Sequence, residues 1–190
     1  MNRTLAALMM TAAALSATPA LSQTAKGPSN VVSPQPLPID DSRPRVFLGG
    51  SIDMGGAPDW QAAMTSALAD MDVVILNPRR PDWNPNWRPE ADEPEFRRQV
   101  EWELAALESA DVIVMYFAPG TQSPISLLEM GLHARGGKLI VLAPEGFWRK
   151  GNVDITAQAY GVKQVQSLPE LTAAVREALS KAASQGRFVR

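Results

Sequence analysis

Apolar residues in this chain fall into short unbroken runs separated by stretches of helical spacing, and the alternation begins at Arg45. The runs "RVFLGGS" (45–51), "DVVILNP" (72–78), "DVIVMYFAP" (111–119) and "KLIVLAP" (138–144) read as strands, with "VKQV" (162–165) as a short fifth. Between and after them lie "DWQAAMTSALADM" (59–71), "PEFRRQVEWELAALESA" (94–110), the segment following Ser123, and "LPELTAAVREALSKAAS" (168–184). These read as helices, with apolar residues three and four apart. In the second, Phe96, Val100, Leu104 and Leu107 mark the expected buried face. Unbroken apolar strands alternating with helices require a parallel sheet covered on both sides. The fold class expected is α/β: a doubly wound parallel five-stranded sheet with helices on both faces. Ligands bind such sheets beyond the carboxyl ends of the strands. That rule gathers the loops "GGSIDMGG", "NPRRPDWNPNW", "APGTQSP" and "APEGFWRKGN" around one crevice.

The chain ahead of Arg45 has another character. Residues 1–22 combine a basic start at Arg3, an apolar segment too short to span a bilayer comfortably, and the small-residue exit "ALS", which reads as a secretory signal peptide cleaved after Ser22. A periplasmic or secreted protein is expected. No cysteine follows the signal, so no lipoprotein anchor holds the chain to a membrane after cleavage. Residues 23–44 carry Pro28, Pro34, Pro36, Pro38 and Pro44, unsuited to a helix or central strand, and read as a linker or extended arm. The domain is expected over 45–184, with 185–190 as a tail.

Composition narrows the chemistry. With 190 residues the chain holds one domain, and a net charge of -2 gives no basic footprint for duplex nucleic acid. Absence of cysteine excludes thiolate chemistry and disulfides, and a single histidine, His133, excludes zinc sites built on paired histidines. No metal or cofactor is expected. "GGSIDMGG" lacks the G-x-G-x-x-G spacing of a dinucleotide fingerprint. Its Ser51 and Asp53 either bind a sugar hydroxyl or cap the next helix. In "NPRRPDWNPNW", Asp82 and Trp83 suit either a planar ligand or a surface loop with buried indoles. Trp148, Arg149 and Lys150 form a small aromatic and basic cluster.

"SPISLLEMGLH" holds the most unusual residue. Ser123 followed by Pro124 is a good helix start. Glu129 then falls beside Ile125 and Leu132 on what the spacing predicts to be a core face. Two readings are open: Ser126 caps the helix with Glu129 closing a capping box, or Glu129 is a desolvated nucleophile or general acid/base beside the crevice.

The segments "VFLGGSIDMG", "NPRRPDWNPNW", "FRRQVEWELAALESADVIVMYFAPGTQSPISLLEMG" and "EGFWRKGNVDI" together resemble the nucleoside 2-deoxyribosyltransferase-like family, over about residues 45 to 165. The resemblance implies a flavodoxin/Rossmann-like fold and cleavage or transfer at the N-glycosidic bond of a 2'-deoxynucleoside or deoxynucleotide. It implies that Glu129, in "SLLEMG", attacks the anomeric carbon to form a glycosyl-enzyme ester. Glu103, eight positions before Asp111, then matches the acid that handles the leaving base, where the family usually has Asp. Ser123 matches the Ser of the family's nucleotide hydrolases. Phe47 stands where transferases carry a Tyr that orients the nucleophile, and Tyr116 is the candidate substitute. The family also implies a small-molecule nucleoside or nucleotide partner and a homo-oligomer. NAD glycohydrolysis and a non-catalytic nucleotide-binding domain are the alternatives.

Overall fold

The computed structural model describes residues 27–52 and 57–185. The signal-peptide reading of 1–22, Asp53, and all of the tail but Gln185 lie outside them. Six strands and five helices follow one another: β1 (Ser29–Val32), β2 (Arg45–Gly50), α1 (Trp60–Ala67), β3 (Val74–Asn77), α2 (Pro94–Ser109), β4 (Val112–Tyr116), α3 (Pro124–His133), β5 (Leu139–Leu142), α4 (Lys150–Tyr160), β6 (Lys163–Val165) and α5 (Leu168–Gln185). Every pairing is parallel, in the order β1-β3-β2-β4-β5-β6. Without β1 this is the doubly wound flavodoxin-like order, whose switch point lies between β2 and β4.

The expected sheet had five strands; the sixth comes from the proline-rich segment. Ser29–Val32 pairs with Val74–Asn77 as an edge strand, the position that proline-flanked chain tolerates. The folded unit therefore begins at Ser29 or earlier, not at Arg45.

Alternate residues of the central strands divide between two cores. Val46, Leu48, Val114, Tyr116, Ile140 and Leu142 pack with Trp60 and Met64 of α1 and with Leu171, Val175 and Leu179 of α5. Phe47, Leu76, Ile113, Met115, Phe117 and Val141 pack with Trp102 of α2, Met130 of α3 and Val153 of α4. Covering both faces is what made the strands read as continuous apolar runs.

Two helix faces differ from their expected placement. In α2 the buried residues are Gln99, Trp102, Ala106 and Leu107, while Leu104 is exposed. In α3, Ile125, Leu128 and Leu132 are 58%, 61% and 60% exposed, and the buried residues are Ser126, Glu129 and Met130. The apolar stripe of α3 is thus a surface and not a core face. Among the described residues no helix is long and apolar enough to cross a membrane.

Candidate active site

The two central strands bring the chain after β2 and the chain after β4 together at the switch point. β2 ends in Gly50 at φ 129°, where a Cβ would stand 2.3 Å from the Tyr116 carbonyl oxygen. Only glycine lets the chain lie this close to β4. It carries Ser51 into a buried hydroxyl cluster. The Ser51 N–H donates to the Tyr116 carbonyl at 2.8 Å. Ser51 Oγ accepts from the Ala118 N–H at 2.8 Å and lies 2.7 Å from Thr121 Oγ1 and 2.6 Å from Ser123 Oγ.

Thr121 Oγ1 donates to the Ala118 carbonyl at 2.9 Å and lies 3.1 Å from Ser123 Oγ, so towards Ser51 and Ser123 it can only accept, and the protons of those two hydroxyls are used within the cluster. Ser51 is 0% exposed with its hydroxyl taken up inside the protein. The expected substrate contact at Ser51 is therefore corrected to a scaffold role. Ser123, half-buried, is the outermost member, and its remaining capacity is to accept.

Ser123 also departs from the expected cap. It precedes α3 in a left-handed conformation, φ 47° and ψ 49°, and makes no side-chain capping bond. Its hydroxyl is turned to Ser51 instead. Ser126 lies inside the helix and donates to the Gly50 carbonyl at 3.0 Å, which rules out the capping box with Glu129.

Glu129 is 7% exposed, and its carboxyl makes no hydrogen bond or ion pair with a described residue. Burial, and then the charge of Glu103, push it up to about 8. Glu103 is half-buried on α2, accepts from Gln99 Nε2 at 2.8 Å, and is pushed up to about 7 by burial against the lowering effect of that bond. Two carboxyls that repel one another cannot both ionise easily, so near neutrality the pair shares a proton. Gln99 has no signal in the sequence, where it is one polar residue in a charged helix.

Other expected contacts fall elsewhere. Tyr116 packs in the α1/α5 layer, edge-on to Trp60 at 5.7 Å, whereas Phe47 belongs to the layer of α2 and α3. Tyr116 therefore cannot give Glu129 the hydroxyl that Phe47 lacks. Asp82 is exposed and held by Arg80 through two 2.8 Å bonds, which keep its carboxyl down at about 2. Trp83 meets Trp87 edge-to-face at 5.2 Å, and Arg80 lies over Trp87 at 4.8 Å. This loop is braced internally, and no hydrogen bond or ion pair joins Asp82 or Trp83 to Glu129. Trp148 is exposed, donates to the Gln122 carbonyl at 2.9 Å and is covered by Arg149 at 4.3 Å. With Met130 and Val153 it lines a cavity of about 300 Å³ between α3 and α4. Among the described residues no three His, Asp or Glu side chains gather as a metal site.

A flavodoxin-like sheet with a carboxyl pair at its switch point defines a class of α/β proteins. The chain belongs within it to the nucleoside 2-deoxyribosyltransferase-like family, whose model matches residues 43–147. That membership gives a glycosyl-transfer-related role. Among solved structures the chain is similar to a conserved protein from Enterococcus faecalis V583, with 12% identity and a TM-score of 0.52, covering 74% of this chain and 99% of that one. At that identity the likeness is one of fold. No curated protein matches the chain.

Proposed function

We propose that this protein cleaves or transfers at the N-glycosidic bond of a 2'-deoxynucleoside or deoxynucleotide, with Glu129 as nucleophile and Glu103 as the acid that protonates the leaving base. One observation carries this reading: the Glu129 carboxyl is 7% exposed and has no hydrogen-bond or ion-pair partner among the described residues, and the like charge of Glu103 adds to the effect of its burial, so that the two favour holding one proton between them. A carboxylate of purely structural use would be paired or hydrogen-bonded. Attack by Glu129 on the anomeric carbon expels the base with its bonding electrons and forms a glycosyl ester. The shared proton then belongs on Glu103, which passes it to the base; water or a second base releases the sugar. A sugar hydroxyl donated to the open oxygens of Glu129 favours its ionised form and moves the proton to Glu103. Ser123, an acceptor at the rim of its cluster, suits a second sugar hydroxyl.

The apolar stripe of α3 supports a homo-oligomer. At 3.6 residues per turn, Ile125 and Leu132 lie on the same side of the helix as Glu129. A second copy covering them would shield the carboxyl from water.

The test is chromatographic: deoxynucleosides, deoxynucleoside monophosphates and NAD are incubated with the protein, with and without an acceptor base, and free or exchanged base is measured. Release is expected from deoxynucleosides or their monophosphates, with kcat/KM greatest between about pH 7 and 8, where the pair holds one proton. Glu129→Gln is expected to lower it about a thousand-fold or more. Release from NAD alone would move the reaction to the nicotinamide bond. No release from any substrate by a folded protein that binds nucleotide would leave a binding domain, the outcome that Phe47 and the distant Tyr116 favour.

A further inference from the structure

Past β1 the chain turns at Ser33, which is buried and donates its hydroxyl proton to Gln99 Oε1 at 2.5 Å. Gln99, buried as well, spends its two side-chain N–H bonds on the Pro78 carbonyl at 3.0 Å and on Glu103 Oε1 at 2.8 Å. The proline-rich arm, the end of β3 and helix α2 thus meet on one amide. The arm is tied down there by independent contacts. The Ser33 N–H donates to the Asn77 carbonyl at 3.0 Å, and the Trp102 indole N–H donates to the Gln35 carbonyl at 2.7 Å. The Arg45 guanidinium donates to the carbonyls of Pro38, Ile39 and Asp41.

We infer that Ser33 is a positioning residue for the carboxyl pair: by occupying the Gln99 carbonyl it ensures that Glu103 is offered an amide N–H and not a carbonyl. The match to the family begins at residue 43, so this contribution comes from the arm ahead of the matched domain. Its catalytic meaning rests on the reading of Glu103 as the leaving-group acid.

An N–H donated to a carboxyl favours the ionised form, whereas a carbonyl can engage only the protonated form. Without the Ser33 hydroxyl, the buried Gln99 carbonyl loses its hydrogen-bond partner among the described residues and the Pro78 carbonyl alone holds the amide in its present sense; an amide turned over would face Glu103 with its carbonyl. Glu103 would then keep its proton to higher pH. Few charges compete for control of this group. From α3, Glu129 is the like-charged neighbour, itself raised by the charge of Glu103. On α2 and the loop after β3, Arg80 is engaged with Asp82 and Glu95, and Arg98 with Glu95. On the arm, Asp41 is engaged with Arg43.

The experiment is a carbon-13 titration of the Glu103 carboxyl in the whole protein, with side-chain-labelled glutamate and the signal assigned through Glu103→Gln. Ser33→Ala is expected to move the midpoint upward by about half a pH unit or more. Gln99→Met, which removes the amide and with it the N–H offered to Glu103, should also move it upward, and Ser33→Thr, which keeps a hydroxyl, should restore the parent value. A Glu103 midpoint unchanged in folded Ser33→Ala while Gln99→Met raises it would overturn the inference and leave Ser33 a packing residue. Should Ser33→Ala not fold, Ser33→Cys, a far weaker donor of the same shape, must show the upward movement in its place. Because the titration needs no substrate, its outcome is independent of base release, which tests the glycosidic reaction alone.

Discussion

Helices α5 and α3 both cover the sheet, and they treat their side chains in opposite ways. α5 buries Leu171, Ala174, Val175 and Leu179 at spacings of three, one and four, and leaves Glu170, Glu177 and Lys181 in solvent. α3 buries Ser126 and Glu129 beside Met130, and leaves Ile125, Leu128 and Leu132 outside. Burial of a leucine is worth about 1.5–3 kcal/mol, and α3 forgoes that gain at each exposed position while carrying the cost of an enclosed carboxyl. A helix shaped by stability alone would do neither. Local violations of this kind concentrate where a protein's surface is used, and here both fall within three turns of one helix.

The contrast can be broken at the leucines first. Leu171→Ala in α5 is expected to destabilise the fold by about 3 kcal/mol, whereas Leu128→Ala in α3 should alter a monomer's stability by less than about 0.5 kcal/mol; urea titrations of both variants measure the difference. Equal losses would mean that α3 is covered in solution.

A smaller effect should come from the carboxyl. Glu129 in the fold is pushed up to about 8, against 4.5 for an unperturbed glutamate, so between those values the folded chain binds the proton and the unfolded chain does not. Stability therefore falls as pH rises through that window and levels off above it. Glu129→Gln, which cannot ionise, should match the parent protein near pH 4.5 and be the more stable of the two at pH 8.5. Thermal unfolding at the two pH values decides it, and a variant less stable at pH 8.5 would show that the carboxylate is favourably held.

The smallest perturbation sharpens the picture of the outer stripe. Leu128→Glu changes one exposed residue and should leave the monomer folded, but it places a charge in the proposed contact between copies. Light scattering should then give a lower mass than for the parent protein. An unchanged oligomer would assign the stripe to the crevice mouth alone.

Much of the architecture is readable in the chain because the central strands are enclosed on both faces. β1 is not, because "SNVV" is four half-covered residues among prolines, and only its pairing with β3 makes it a strand. The stripe on α3 misleads because apolar periodicity reports that a face is apolar, not what covers it. Tyr116 and Phe47 look interchangeable until the register places Gly50 opposite Tyr116 and Phe47 opposite Ile113, which sends the two rings to opposite layers. The resemblance singles out Glu129 and Glu103 as candidates; Gln99 and Ser33 have no such signal, since they meet only through a contact across 66 residues of sequence.

Strand β1 also fixes a direction. It runs parallel to its neighbour, entering the sheet at Ser29 beside Val74 and leaving at Val32 beside Asn77, so the backbone arrives at the pole remote from the carboxyls. A tether joined directly at Gly27 would attach at that pole, on the side of the sheet away from the proposed site.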